Sequence, residues 1–328
     1  MLALGKLVAL EEALIDFMPR ETGVFLADVT AFEKAPGGAP ANVAVCAARL
    51  GVPSMVITQL GADGFGDYLT QTMSAAGVDI SAVLRTDAAP TGLAFVSLKA
   101  DGEREFLFYR SPAADLLLEP DSIKGEWFSR GDILHFCSVA LAGEPMRRAH
   151  RRAVELARLN GVMISFDVNL RFPLWPDVQK LRESVMDFLG GVHLLKAGHD
   201  ELEFLTETGH DESVERMLVR VPALLVTYGK NGAALYMRNR RVFHAGYDTP
   251  AIDTTGAGDA FVGSFLASLL ESGIKDVTAL DDAQIHSILE RAHAVASLVV
   301  AQKGAMSAMP DAAHVGRFMA EHVNPVRV

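Results

Sequence analysis

The chain has 328 residues, half of them apolar, with a formal net charge of −11 and a mean hydropathy of +0.21. This composition supplies a sizeable core and argues against a nucleic-acid-binding surface, and no apolar run reaches the ~18 residues that cross a bilayer. The start reads as a strand and not as a signal peptide, because Glu11, Glu12 and Asp16 follow the first apolar run without a cleavage site; Cys46 and Cys137 read as buried, reduced thiols of a cytoplasmic protein.

Leu7–Leu10 is a short apolar run that predicts a central strand. Residues 23–33 carry β-type alternation with turn signals. Pro40 opens a helix whose Val43, Ala47 and Leu50 share a face, and Gly51 closes it. A strand follows over 55–58, then a helix over 67–76 ended by Gly77. Residues 92–108 return to β alternation, where segments 94–98 and 105–109 flank Ala100-Asp101-Gly102-Glu103, a hairpin composition. The remainder alternates: strand 133–137, helix 144–159, strand 162–167, helix 181–189, strand 193–196, helix 201–206, strand 224–228. Arg147, Arg148, Arg151 and Arg152 read as one solvated helix face, since Ala149, Ala153 and Leu156 mark the opposite one. Repeated strand–helix units imply a parallel sheet covered on both faces. The two segments that break the rhythm imply a small β lid inserted into that body.

The densest chemistry lies at Asp253-Thr254-Thr255-Gly256-Ala257-Gly258-Asp259, followed at once by the apolar run 260–270. A loop that turns here into a buried helix presents backbone N–H groups without intrahelical acceptors, together with the positive end of the macrodipole. Gly256, Ala257 and Gly258 leave that end open to an anion. Asp259 would repel the anion unless it takes a proton from a hydroxyl attacking a phosphoryl group. The competing account is a Gly-rich turn with an aspartate cap.

The same heptapeptide resembles the C-terminal signature of the ribokinase-like (PfkB) carbohydrate kinases. Gly37-Gly38-Ala39-Pro40-Ala41-Asn42-Val43-Ala44, followed by Leu60-Gly61-Ala62-Asp63-Gly64-Phe65-Gly66, resembles the N-terminal one. No P-loop and no protein-kinase motif set is present. The resemblance covers essentially the whole chain. It implies a three-layer α/β sandwich of the ribokinase-like type, with a mostly parallel central sheet and a small β-sheet lid. Residues 1–328 then form one kinase domain, with lid segments at about 12–35 and 92–117. The lid of this family is often also a dimer surface, so a homodimer is expected.

On the sugar side, the resemblance places Asp16 of Leu14-Ile15-Asp16-Phe17 on vicinal hydroxyls, with Gly37, Gly38 and Asn42 close by. The stretches 106–115 and 167–171 resemble bacterial fructokinases and 2-keto-3-deoxygluconate kinases, which makes Arg110, Asn169 and Arg171 substrate-binding candidates; the two arginines could meet sugar hydroxyls, a carboxylate or phosphate, and a surface or ion-paired arginine is the other reading of each. On the ATP side it points to Lys196, Thr227, Gly229 and Gly232, and to Gly256 and Gly258 at the phosphates. A plain hairpin through Lys230-Asn231-Gly232 fits the same residues. Glu201 falls where the family orders magnesium-bound water, although Gly198 replaces the usual Asn of that element. Asp253 falls near the metal-phosphate or monovalent-cation region, potassium being the candidate ion. Two further departures are Glu11 for the usual glycine, and His293 for the Asn near adenine, where a buried core histidine is the other reading.

The expected activity is ATP-dependent phosphorylation of a primary sugar hydroxyl, first D-fructose to fructose 6-phosphate. A 2-keto-3-deoxygluconate kinase comes next, then an aminoimidazole riboside or other nucleoside-type kinase. A non-catalytic sugar-binding relative is the rival of a different class, and it has no need of a base beside an anion hole.

Overall fold

The computed structural model describes residues 4–21, 23–98 and 104–322. Its strands are β1 (Leu7–Leu10), β2 (Leu14–Pro19), β3 (Phe32–Gly37), β4 (Ser54–Gly61), β5 (Val83–Thr86), β6 (Leu93–Leu98), β7 (Arg104–Tyr109), β8 (Ile133–Cys137), β9 (Met163–Asp167), β10 (Leu194–Gly198), β11 (Ala223–Thr227), β12 (Ala233–Met237) and β13 (Arg240–His244). The helices are α1 (Ala39–Arg49), α2 (Gly64–Ala75), α3 (Met146–Leu159), α4 (Val178–Phe188), α5 (His199–Thr206), α6 (His210–Leu218), α7 (Ala257–Glu271), α8 (Asp282–Val300) and α9 (Ala312–Glu321).

Among the described residues, nine strands form one sheet in the order β13-β12-β11-β10-β9-β8-β1-β4-β5. It is parallel from β5 to β11, and β12 and β13 add antiparallel. Strand periodicity sends alternate residues to opposite faces, and both faces are apolar. Leu7 and Ala9 join a core with α1, α2, α7, α8 and α9, whereas Val8 and Leu10 join a second core with α3, α4, α5 and α6. The chain leaves β1 for β4 on one side and later fills β8 on the other. Open α/β sheets bind ligands beyond the carboxyl ends of strands at such a reversal.

A second sheet, in the order β3-β2-β6-β7, lies in the two segments that interrupt the alternation. Residues 23–33 are not a strand over most of their length. Strands occupy Leu14–Pro19 and Phe32–Gly37 instead, with a single 3₁₀ turn at Leu26–Asp28 between them. Gly23 adopts φ of 75°, which breaks the extended run. β6 and β7 pair antiparallel, while the hairpin turn read at 100–103 lies outside the described residues.

Helix starts differ from the apolar pattern because caps lie outside it. α2 begins at Gly64, where the Asp63 carboxylate accepts the N–H groups of Phe65 and Gly66. α3 begins after Pro145, and Glu144 accepts the N–H of Arg148. The arginine face of α3 pairs with acidic neighbours at the surface: Arg147 with Glu144, Arg152 with Glu155.

Candidate active site

The carboxyl ends of the central strands and the inner face of the small sheet enclose a cavity of about 360 Å³. Glu12 reaches it from just beyond β1, Val139 from beyond β8, Asn169 and Arg171 from beyond β9, and Lys196 from β10. Leu14, Asp16 and Phe108 come from the small sheet, and Gly38, Ala39 and Asn42 from the start of α1. Thr254, Thr255, Gly256, Gly258 and Asp259 complete the lining. A second cavity of about 280 Å³ is lined by Thr227, Gly229, Lys230, Gly232, Ala257, Phe261 and His293, among others. Thr254 and Gly258 line both cavities, so the two meet at the N-terminus of α7.

Backbone geometry explains the glycines at this junction. Gly256 caps α7 with φ of 75°, and a Cβ there would lie 2.7 Å from the Cβ of Ala305. A Cβ on Gly37 would fall 2.1 Å from Oδ2 of Asp16, so only glycine leaves room for that carboxylate. Asp16 stands on β2, a strand of the small sheet.

Asp259 is partly buried on the first turn of α7. Burial raises its pKa, while the hydrogen bond from Asn42 and the charges of Arg171 and Lys196 pull it down. Lys196 lies beside the glycines: a Cβ on Gly258 would be 3.8 Å from its Nζ. The ammonium pairs with Asp167 at 3.0 Å. Asn169 adopts φ of 37°, a left-handed conformation Asn tolerates better than most residues, and its Nδ2 is buried with no hydrogen-bond partner among the described residues.

Arg110 is not brought into this cavity. Its guanidinium is buried and ion-paired with Asp115, five residues on, and it lines an adjoining pocket with Ser111 and Leu116, which shares Phe108 and Val139 with the first cavity. The nearby acid claims the cation that the sequence offered to a substrate.

Glu201 and Asp253 line neither cavity. Glu201 accepts the N–H groups of Leu170 and Gly198, both at 2.7 Å, and so clamps the loop bearing Asn169 and Arg171 to the start of α5. Asp253 accepts from the N–H and Oγ1 of Thr255 and from the N–H of Gly304, which shapes the loop entering α7. Each of these oxygens already accepts at least one hydrogen bond, so both carboxylates shape the loops around the cavities.

Two groups were not singled out from sequence. Oε1 of Glu12 accepts a hydrogen bond from the N–H of Ala39 at 3.1 Å, while its Oε2 is buried with no hydrogen-bond partner among the described residues. Burial pushes its pKa up to about 7 against the pull of Arg110. Asp167 supports Lys196, and its only sequence signal was its place two residues before Asn169. Glu11, with φ of 156°, accepts the N–H groups of Cys137 and Ala140, tying β1 to the end of β8. His293 is both buried and part of the second cavity; it packs on His244 and Phe261, and burial pushes its pKa down to about 3, keeping it neutral.

The pfkB family carbohydrate kinase profile matches residues 4–312, nearly the whole chain. This chain belongs to that family. A curated relative, probable fructokinase-3 of Arabidopsis thaliana, is 40% identical over 313 residues, covering 93% of this chain and 89% of its own. Among solved structures, fructokinase from Xylella fastidiosa with bound ATP superposes with a TM-score of 0.87 at 33% identity, covering 97% of this chain and 99% of that one. A double mutant of Vibrio cholerae O395 fructokinase, with fructose, ADP and potassium ion bound, gives 0.87 at 34% identity, covering 96% and 98%. The fold of this carbohydrate kinase is thus ribokinase-like, with its small sheet over the first cavity. Among the described residues no helix is long and apolar enough to cross a membrane.

Proposed function

We propose that this chain transfers the γ-phosphoryl group of ATP to the primary hydroxyl of D-fructose, giving fructose 6-phosphate and ADP. The observation that carries this reading is the meeting of two cavities at Thr254 and Gly258, with Asp259 on the sugar side of the junction. The fructokinase-named relatives supply the choice of sugar.

In this reading fructose lies in the first cavity, between Asp16 and Asn42, and ATP in the second, along Thr227, Gly229 and Gly232. The sugar hydroxyl attacks the γ-phosphorus, its proton passes to Asp259, and the bond to the β-phosphate oxygen breaks. Negative charge on the transferring group meets the N–H groups of the first turn of α7 and the ammonium of Lys196. The small sheet acts as a lid that keeps water from the phosphoryl group. A magnesium ion accompanying ATP would neutralise phosphate charge, held by phosphate oxygens and water.

A coupled assay of ADP release over fructose, ribose, 2-keto-3-deoxygluconate, adenosine and aminoimidazole riboside tests the reading. Fructose should give the highest kcat/KM. A higher value for another acceptor removes fructose as the substrate, and no ADP release with any of them favours a sugar-binding protein without turnover.

A further inference from the structure

Asn42 and Asp259 belong to different signatures, yet the Asn42 Nδ2 donates a hydrogen bond to Asp259 Oδ2 at 2.7 Å across 217 residues of sequence. Both sit on the first turns of helices, α1 and α7, that pack tightly against each other. A Cβ on Gly263 of α7 would lie 2.7 Å from the Cβ of Cys46 and 3.0 Å from the carbonyl oxygen of Val43 on α1. The Cys46 thiol donates to the carbonyl of Ala260 at 3.4 Å. This contact fixes the register of the two helices, and with it the distance between amide and carboxylate. Asn42 itself is only 4% exposed, and its Oδ1 is buried with no hydrogen-bond partner among the described residues.

We infer that Asn42 is a positioning residue for the base: it holds Oδ2 of Asp259 and thereby turns Oδ1 toward the attacking hydroxyl. This rests on the reading of Asp259 as base given above. A carboxylate with one oxygen anchored has one rotamer to offer, so the proton acceptor is in place before the sugar arrives. The same N–H donation favours the ionised form that a base requires, against the burial that disfavours it. The other charged or titratable groups around Asp259 are Lys196 of β10, Asp167 of β9, Arg171 beyond β9, Glu12 and Asp16 across the cavity, and the Cys46 thiol of α1. Of these, Lys196 and Arg171 also favour ionisation. Asn42 differs from both in fixing direction as well as charge.

The test is the pH profile of kcat, at saturating ATP and fructose, for the native protein, Asn42→Ala and the isosteric Asn42→Asp. Asn42→Ala should lower kcat about ten-fold, the order expected when a hydrogen bond to a charged group is lost. It should also move the acid limb of the profile to higher pH, since the bond that lowers the Asp259 pKa is gone. Asn42→Asp sets a second carboxyl against Asp259 and should move that limb further in the same direction. If Asn42→Ala does not fold, the isosteric variant decides alone. An acid limb that stays in place, with the loss confined to the fructose KM, would make Asn42 an ordinary sugar ligand and overturn the inference. Asp259→Asn is the separate control. It should lose ~10²–10⁴-fold in kcat, and a normal rate there defeats the base reading itself, whatever Asn42 does.

Discussion

The ammonium of Lys196 and the carboxylate of Asp167 are register partners on adjacent parallel strands, 3.0 Å apart, and they form a charged wall beside the N-terminus of α7. Burial pushes the Asp167 pKa up to about 7, opposed by Lys196. On Lys196, burial acts to lower the pKa, but Asp167, Glu201 and Asp259 outweigh it and the net shift is upward. Asp167→Asn removes the nearest of those acids, so the Lys196 pKa should fall. A lysine that loses its proton earlier on the alkaline side can no longer meet phosphate charge there. The basic limb of kcat should accordingly move to lower pH in Asp167→Asn, with kcat near neutrality reduced about ten-fold. Lys196→Met should cost more, ~10²–10³-fold in kcat, at every pH. A basic limb that is the same in Asp167→Asn and the native protein separates Lys196 from the phosphates.

Much of this arrangement was legible in the sequence, because the apolar periods of the central strands and helices are strong and the two glycine-containing signatures are local. What was not legible depends on contacts distant in sequence. Asp259 could be singled out from its own heptapeptide, but its bond to Asn42 exists only because α1 and α7 pack, through Gly263 and Cys46. Arg110 looked like a sugar ligand because a guanidinium suits hydroxyls. The fold instead turns it onto Asp115. Glu201 and Asp253 had the right residue type for metal, and what the sequence did not show is that their oxygens also accept the N–H groups of Leu170, Gly198, Thr255 and Gly304. Strand β2 lies inside the lid segment at about 12–35, but the pairing of its Asp16 with β3 and β6 depends on partners up to 78 residues away.

Glu12 yields a pH dependence of sugar binding. Its Oε1 is committed to Ala39, and its buried Oε2 belongs to a residue lining the first cavity, where the proposed function places fructose. An ionised carboxylate accepts a hydroxyl hydrogen bond more strongly than the neutral acid does. With the pKa raised to about 7, ionisation is gained as pH rises through that value, so the fructose KM should fall there, by up to about ten-fold. Glu12→Gln keeps an acceptor for Ala39 but cannot ionise. Its fructose KM should be flat across neutral pH, and a native-like slope in that variant would assign the titration to another group.

Gly263 tests the helix contact that aligns the site. A methyl group there must displace Cys46 or the α1 backbone at Val43, since the available space is 2.7 to 3.0 Å. Overpacking of this kind costs roughly 1–3 kcal/mol. Gly263→Ala should lower the unfolding free energy by that amount, seen as a lower denaturation midpoint, and it should also reduce kcat, because the Asn42–Asp259 distance follows the α1–α7 spacing. Unaltered stability would mean the two helices separate freely. Reduced stability with unchanged kcat would mean the alignment tolerates their movement.

The small sheet presents two unlike faces, and that difference predicts both closure and pairing. Strand alternation sends Asp16 and Phe108 to the cavity, while Phe17, Phe95 and Tyr109 share the other face. Phe17 stacks on Phe95 at 4.8 Å between ring centroids, Phe32 and Tyr109 meet Phe95 edge-on, and Tyr109 and Leu107 remain 60% and 45% exposed. Phe65 of α2 meets Phe17 edge-on and covers part of this face, and a thin sheet has little core of its own, so the open part at Leu107 and Tyr109 gains by covering itself with a second copy. Sedimentation at micromolar concentration should therefore show a dimer, and Tyr109→Lys should shift it toward monomer while the sugar cavity keeps its lining. On the inner face, saturating fructose bound to Asp16 should tie β2 and its neighbours to the body of the protein. Amide exchange in β2, β6 and β7 should slow with fructose and not with ATP alone. A monomeric native protein ends the pairing half of this prediction. Exchange in those strands that ignores saturating fructose ends the closure half, since a sheet the sugar does not hold cannot shield the phosphoryl group from water.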